Sequence, residues 1–137
     1  MKRTMGKILY TVNESVTPEE VGEVFRASGI RRPSNDPGRI AKMISNANLI
    51  VCARDSQKLV GIARALTDFS YCCYISDLAV DRAYSGKGIG KELLRKVQEA
   101  AGEEAMILLL STSKSESYYP RIGFKKAENA WRIPRKR

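Results

Sequence analysis

Between positions 77 and 91 the chain reads Asp77-Leu78-Ala79-Val80-Asp81-Arg82-Ala83-Tyr84-Ser85-Gly86-Lys87-Gly88-Ile89-Gly90-Lys91. An apolar strand pattern runs into a turn with glycines at alternate positions, and a helical pattern follows. The first amides of a helix have no internal partners, and the helix dipole there favours negative charge. Glycines let a ligand approach the backbone with no Cβ in the way. Lys87 and Lys91 add cations beside those donors. The combination suits a phosphate or pyrophosphate, although the same residues also fit an ordinary tight turn, and spacing alone leaves both readings open. The P-loop pattern GxxxxGK[ST] is absent. A dinucleotide fingerprint requires GxGxxG early in a parallel βαβ unit; here GxGxG comes late, after three β-rich segments.

The histidine count is zero. A Ser-His-Asp or Cys-His unit, an HExxH zinc site and a histidine base are therefore excluded, and any proton transfer falls to carboxylates, tyrosines, lysines, thiols or water. The three cysteines (Cys52, Cys72, Cys73) form neither a disulfide framework nor a CxxC zinc spacing. Cys72 and Cys73 are adjacent on a strand pattern, so they point to opposite faces and read as small hydrophobes.

The elements around this stretch are legible. Lys7–Val12 is a strand pattern. Thr17-Pro18-Glu19-Glu20 has the form of a helix start, with Thr17 as N-cap, Pro18 first in the helix and Glu20 as the reciprocal capping-box partner. That helix runs to about Ser28, with Gly29 ending it. Asp36-Pro37 opens a second helix through Ile40, Met43 and Ile44. Leu49–Arg54, Leu59–Leu66 and Tyr71–Val80 then read as an antiparallel meander. Ile89–Ala101 carries an apolar stripe at helical spacing, Gly102 stops it, and Met106–Leu110 is a buried strand. A crossover of this length implies parallel pairing of that strand with Tyr71–Val80. A short helix around Lys114–Arg121 and a hairpin over Phe124–Ile133 complete the expected order.

The 137 residues carry 24 Lys+Arg against 15 Asp+Glu, a formal net charge of +9. The excess sits at the ends: Lys2, Arg3 and Lys7 at one, and Lys125, Lys126, Arg132, Arg135, Lys136 and Arg137 with only Glu128 at the other. The middle is nearly neutral. Basic arms of this kind read as solvated tails rather than as a nucleic-acid face. No apolar run approaches the roughly 20 residues that span a bilayer. The expectation is one reduced, cytoplasmic domain over 1–137, without nucleic-acid or membrane partners.

Two motifs together carry a resemblance. Leu78-Ala79-Val80, then Tyr84-Ser85-Gly86-Lys87-Gly88-Ile89-Gly90 and Leu93-Leu94, resembles the acetyl-CoA signature of the GNAT N-acetyltransferase superfamily. Tyr119-Pro120-Arg121-Ile122-Gly123-Phe124 resembles the family's Tyr-x-x-x-Gly-Phe ending. The resemblance implies an α+β fold with a mixed, mostly antiparallel central sheet, helices on both faces and a splayed parallel strand pair. It implies coenzyme A held by Leu78, Ala79 and Val80 on the strand edge and by Ser85, Gly86, Lys87, Gly88, Ile89, Gly90 and Lys91 at the turn. Thr112 stands where many members carry an Asn that orients the cofactor arm, and Ser85 where they often carry Gln or Arg. The activity implied is direct attack of a primary amine on acetyl-CoA in a ternary complex. Tyr119 would be the general acid and Asp77 the best candidate base, although Asp77 also reads as a turn-facing or salt-bridged acid; Asp68 is weaker and also reads as a simple turn. Tyr118 would be pocket wall, and Tyr71 and Tyr74 would line a compact or aromatic amine site. Arg31-Arg32-Pro33-Ser34-Asn35 would flank the acceptor, and a homodimer is expected. The competing reading is a non-catalytic GNAT-like module that binds CoA or regulates.

Overall fold

A computed structural model describes residues 7–112 and 115–137. Lys2, Arg3 and Lys114 lie outside the described residues. Five strands form one sheet in the order β1 (Ile8–Val12), β2 (Leu49–Asp55), β3 (Lys58–Thr67), β4 (Cys72–Val80) and β5 (Met106–Leu109). The first three pairings are antiparallel and β4–β5 is parallel, as the crossover predicts.

Helix α1 (Pro18–Ser28) starts with the full capping box. The Glu20 amide donates to Thr17 Oγ1 at 3.1 Å, and the Thr17 amide donates to Glu20 Oε2 at 2.8 Å. Gly29 closes the helix at φ +79°. In α2 (Pro37–Ser45) the Asp36 carboxylate accepts from the Arg39 amide at 3.1 Å. Helix α3 (Ile89–Ala101) occupies the predicted span, and α4 (Tyr118–Arg121) is a single turn.

Helices cover both faces of the sheet because its strands are apolar on both. One core joins α3 (Ile89, Leu93, Leu94, Val97) to Val51, Ala63, Cys73 and Ile75. The other joins α1 (Val21, Val24, Phe25) and Ile40 of α2 to Cys52, Ile62 and Ala79. Cys73 is buried and its neighbour Cys72 exposed, as strand alternation requires. Burial pushes the Cys52 thiol up to about 12, which leaves it inert as a nucleophile.

One expected element is absent. No strand forms over Phe124–Ile133, and the chain from 124 to 137 is irregular. Trp131 and Ile133 are 95% and 97% exposed. Six basic residues and Pro134 crowd this tail, and it offers no alternating apolar face to a sheet. The terminal strand expected to support dimer pairing is therefore not formed.

Candidate active site

The parallel β4–β5 register starts at Cys72↔Met106 and ends at Ile75↔Leu109. From Ser76 to Val80, β4 continues with β3 on one side only. The two parallel strands thus part at Ser76, and this stretch of β4 presents a free edge. Opposite it, Arg64 pairs with Asp77 while Ala65 pairs with Ile75, so Ser76 is an extra, bulged residue. A bulge bends its strand and redirects side chains.

Beyond Val80 the chain turns through Arg82–Tyr84 into the glycine loop. Both sides of this turn are fastened. The Tyr84 hydroxyl donates to Asp55 Oδ2 at 2.6 Å, Lys58 lies 5.9 Å from the Tyr84 ring centre, and Arg82 Nε donates to the Ala27 carbonyl at 3.0 Å. Gly86 and Gly88 then adopt φ +77° and +78°, and among the described residues nothing lies within 4 Å of where a Cβ would project from either. Positive φ explains the glycines, and the open space above them suits close approach by a ligand. Gly88 caps α3 with no side-chain hydrogen bond to the first-turn amides. Lys87 and Lys91 are exposed beside them. Ser85 directs its hydroxyl back to the Arg82 carbonyl at 2.9 Å, so it shapes the turn.

Gly90 has a third role. A Cβ there would lie 3.4 Å from the Tyr118 hydroxyl and 3.8 Å from Val80 Cγ2. Tyr118 therefore reaches across from α4 to the start of α3, close to the end of β4. This placement was not legible in the sequence, because it depends on how α4 docks. Tyr119 packs edge-on against both Tyr118 and Phe124, with ring centres 5.4 Å apart in each pair. Burial raises the Tyr119 phenol above its ordinary range, and the neighbouring Tyr118 adds to the shift against a weaker pull from Ser115. Tyr118 is raised by burial too. Both hydroxyls hold their protons at neutral pH. A groove of about 310 Å³ runs from Gly88 along Lys91 and Arg95 of α3 to Ile122 and Phe124, the stretch just after α4. Thr112 does not enter it through a visible contact. Its hydroxyl lies 3.1 Å from Ser115 Oγ, closing the turn before α4.

Asp77 is fully buried, and both its oxygens are engaged: Arg32 Nε donates to Oδ1 and Arg64 Nε to Oδ2, each at 2.5 Å. Both carboxylate oxygens are thus held by guanidinium groups, so Asp77 takes the salt-bridged placement and ties two arginines to β4. The bulge turns Asp77 toward the α1 side, where it ties the Arg31–Asn35 loop to β4. Asp68 is likewise committed. Its Oδ1 accepts from the amides of Ser70, Tyr71 and Cys72, and these bonds, that of Cys72 foremost, hold its carboxyl down at about 2. Tyr74 is partly exposed and Tyr71 largely so.

Comparison with known proteins agrees with this arrangement. The family model described as the acetyltransferase (GNAT) domain matches residues 13–132. GCN5-related N-acetyltransferase 2, chloroplastic, of Arabidopsis thaliana is 34% identical over 73 residues, which are 52% of this chain and 28% of the relative. The match thus spans under a third of that relative's length. Among solved structures, a candidate acetyltransferase of Deinococcus radiodurans R1 superposes with TM-score 0.80 at 28% identity, covering 98% of this chain and 92% of the other. An aminoglycoside N-acetyltransferase in complex with CoA shares the fold, with TM-score 0.72 at 12% identity over 99% of both chains. With residues 13–132, most of the chain, inside one family model, the protein belongs to the GNAT acetyltransferase domain family.

Proposed function

We propose that the chain transfers an acetyl group from acetyl-CoA to a primary amine by direct attack within a ternary complex. The observation that carries this reading is the junction of two open backbone surfaces: the free β4 edge from Ser76 to Val80, and the uncapped α3 start behind Gly86 and Gly88. The open space over both glycines fits a diphosphate, which the amides at the α3 start would bind with Lys87 and Lys91 as counter-charges. The edge at Leu78, Ala79 and Val80 fits an extended amide-bearing arm laid down like a further strand. Acetyl-CoA supplies the thioester when bound. Tyr119 holds at its hydroxyl the proton that the departing thiolate takes up, and Tyr118 walls the turn over Gly90. With Asp77 and Asp68 both committed, the ammonium proton of the acceptor goes to water. Holding two reactants in alignment can itself lower a barrier by roughly 7 kcal/mol or more, so a histidine base is not needed.

The lack of an uncommitted carboxylate among these candidates also favours a second reading, a GNAT-like module that binds CoA without turnover. The test is calorimetric titration of acetyl-CoA and CoA, followed by CoA release over a panel of primary amines for the native protein and Tyr119→Phe. Enzymatic transfer predicts micromolar binding and turnover that falls by roughly 10²-fold in Tyr119→Phe. Binding without turnover on any amine leaves the module, and no binding to the folded protein removes both readings.

A further inference from the structure

The bulge at Ser76 concentrates positive charge where the two parallel strands part. Arg64 lies on the face of β3 that meets α1 and α2, and Asp77 lies on the same face of β4. Arg32 arrives from the loop between those helices. Arg64 Nε and Arg32 Nε share the two Asp77 oxygens. Arg64 Nη2 also donates to Ser76 Oγ at 2.9 Å, and Arg32 Nη2 to the Ser76 carbonyl at 2.7 Å. Two guanidinium groups thus converge on one carboxylate, leaving one positive charge in excess.

Among the described residues, Asp77 is the only carboxylate in an ion pair with either arginine. The neighbouring loop residue is Arg31, and α2 contributes Lys42 and Arg39, whose Nη2 donates to the main-chain oxygen of the terminal Arg137 at 3.0 Å. Asp36 caps α2 and Asp68 caps its own turn. Met43, also on α2, offers only its carbonyl, to Arg64 Nη1 at 3.4 Å. The two arginines differ in access. Arg64 is almost fully enclosed, with 9% of its side chain exposed, whereas Arg32 keeps 28%. Arg32 uses one N–H each on Asp77, Ser76 and its neighbour's carbonyl, and a guanidinium has five. It therefore retains both charge and donors at the surface. On the same face, Leu66 and Tyr74 pair across β3 and β4 and stay 42% and 36% exposed, an apolar shelf next to the cation.

We propose that Arg32 reads a carboxylate on the acceptor, so that the substrate is a small amino-acid-like amine whose apolar part rests on Leu66 and Tyr74. This rests on the acetyl-transfer reading and narrows it. A polycationic acceptor meets like charge here, whereas an amine that brings its own carboxylate matches the excess cation through the planar fork of arginine. The clamp through Asp77 gives Arg32 a fixed orientation, which lowers the cost of ordering it around a ligand.

The test uses the full chain and a matched pair of probes, phenylalanine and phenethylamine, which differ by the carboxylate. With acetyl-CoA, and compared at equal free-base concentration, kcat/KM is expected to be at least tenfold higher for phenylalanine. Arg32→Gln is expected to raise KM for phenylalanine tenfold or more while changing phenethylamine far less, so that the preference collapses. Arg32→Lys keeps the charge without the fork, guards against a merely misfolded variant, and should fall between the two. Equal or better use of phenethylamine overturns the proposal, as does a preference that survives Arg32→Gln or a lysine-rich peptide as the best acceptor. Calorimetry of both probes without cofactor separates this from failure of acetyl transfer itself. Tighter binding of phenylalanine that weakens in Arg32→Gln upholds the anion site even without turnover, and equal binding of the two probes overturns it.

Discussion

Helices α1 and α3 begin in opposite ways. At α1, Thr17 and Glu20 satisfy each other's amides in a closed capping box, and Pro18 removes one donor altogether. At α3, Gly88 stands at the cap with a positive φ, and among the described residues no side chain caps the helix and none lies over Gly86 and Gly88. Both starts carry the same helix dipole. The first is completed by its own sequence and contributes stability. The second keeps its donors available, and the fold fastens the preceding turn through Tyr84 and Arg82 instead. One helix start is thus closed by its own sequence, while the other is left open next to a strand edge.

That contrast can be broken from either side. Gly88→Glu places a side chain and a negative charge over the open amides. We expect acetyl-CoA affinity to fall by at least 100-fold in calorimetry, while the left-handed backbone costs only about 1–2 kcal/mol of stability in denaturant titration. An equal loss of both would mean that the α3 start is structural. Asp77→Ala should act the other way round. Removing the shared partner leaves Arg64 enclosed and unpaired, at a cost of about 3–5 kcal/mol, and Arg32→Lys in the same assay should cost less.

Thr17→Ala sharpens the comparison with a smaller change. It opens the α1 cap and should lower stability by about 1 kcal/mol, with acetyl-CoA affinity unchanged. The smallest effect expected is in alkali. Burial raises the Tyr119 phenol above its ordinary value of 10, so the unfolded chain ionises there first. Stability tied to this group is intact below pH 10 and declines as pH rises further. Tyr119→Phe should flatten that decline in pH-dependent unfolding. For the same reason, no loss of turnover below pH 10 should trace to this tyrosine.

The Thr17 cap, the Gly29 stop and the Ile89–Ala101 span were legible because each is set by contacts within one or two turns of chain. The glycine turn was legible for the same reason: positive φ at Gly86 and Gly88 is a local demand. The tail was misread because Phe124 to Ile133 was judged by element order, whereas a strand needs a partner and an apolar face that this basic segment lacks. The partners of Asp77 were not legible because they are remote in sequence, with Arg32 lying 45 residues away and Arg64 13.

The sequence by itself determined the helix starts and stops, the strand order, and a glycine loop able to receive an anion, since these follow from backbone preferences and short-range hydrogen bonds. Only the tertiary structure decided that Asp77 is clamped by two arginines, which tyrosine reaches Gly90, and where β4 and β5 part. Those outcomes depend on a bulge at Ser76 and on the docking of α4, and burial and charge pairing there are sums over residues that meet only when the sheet and helices have closed.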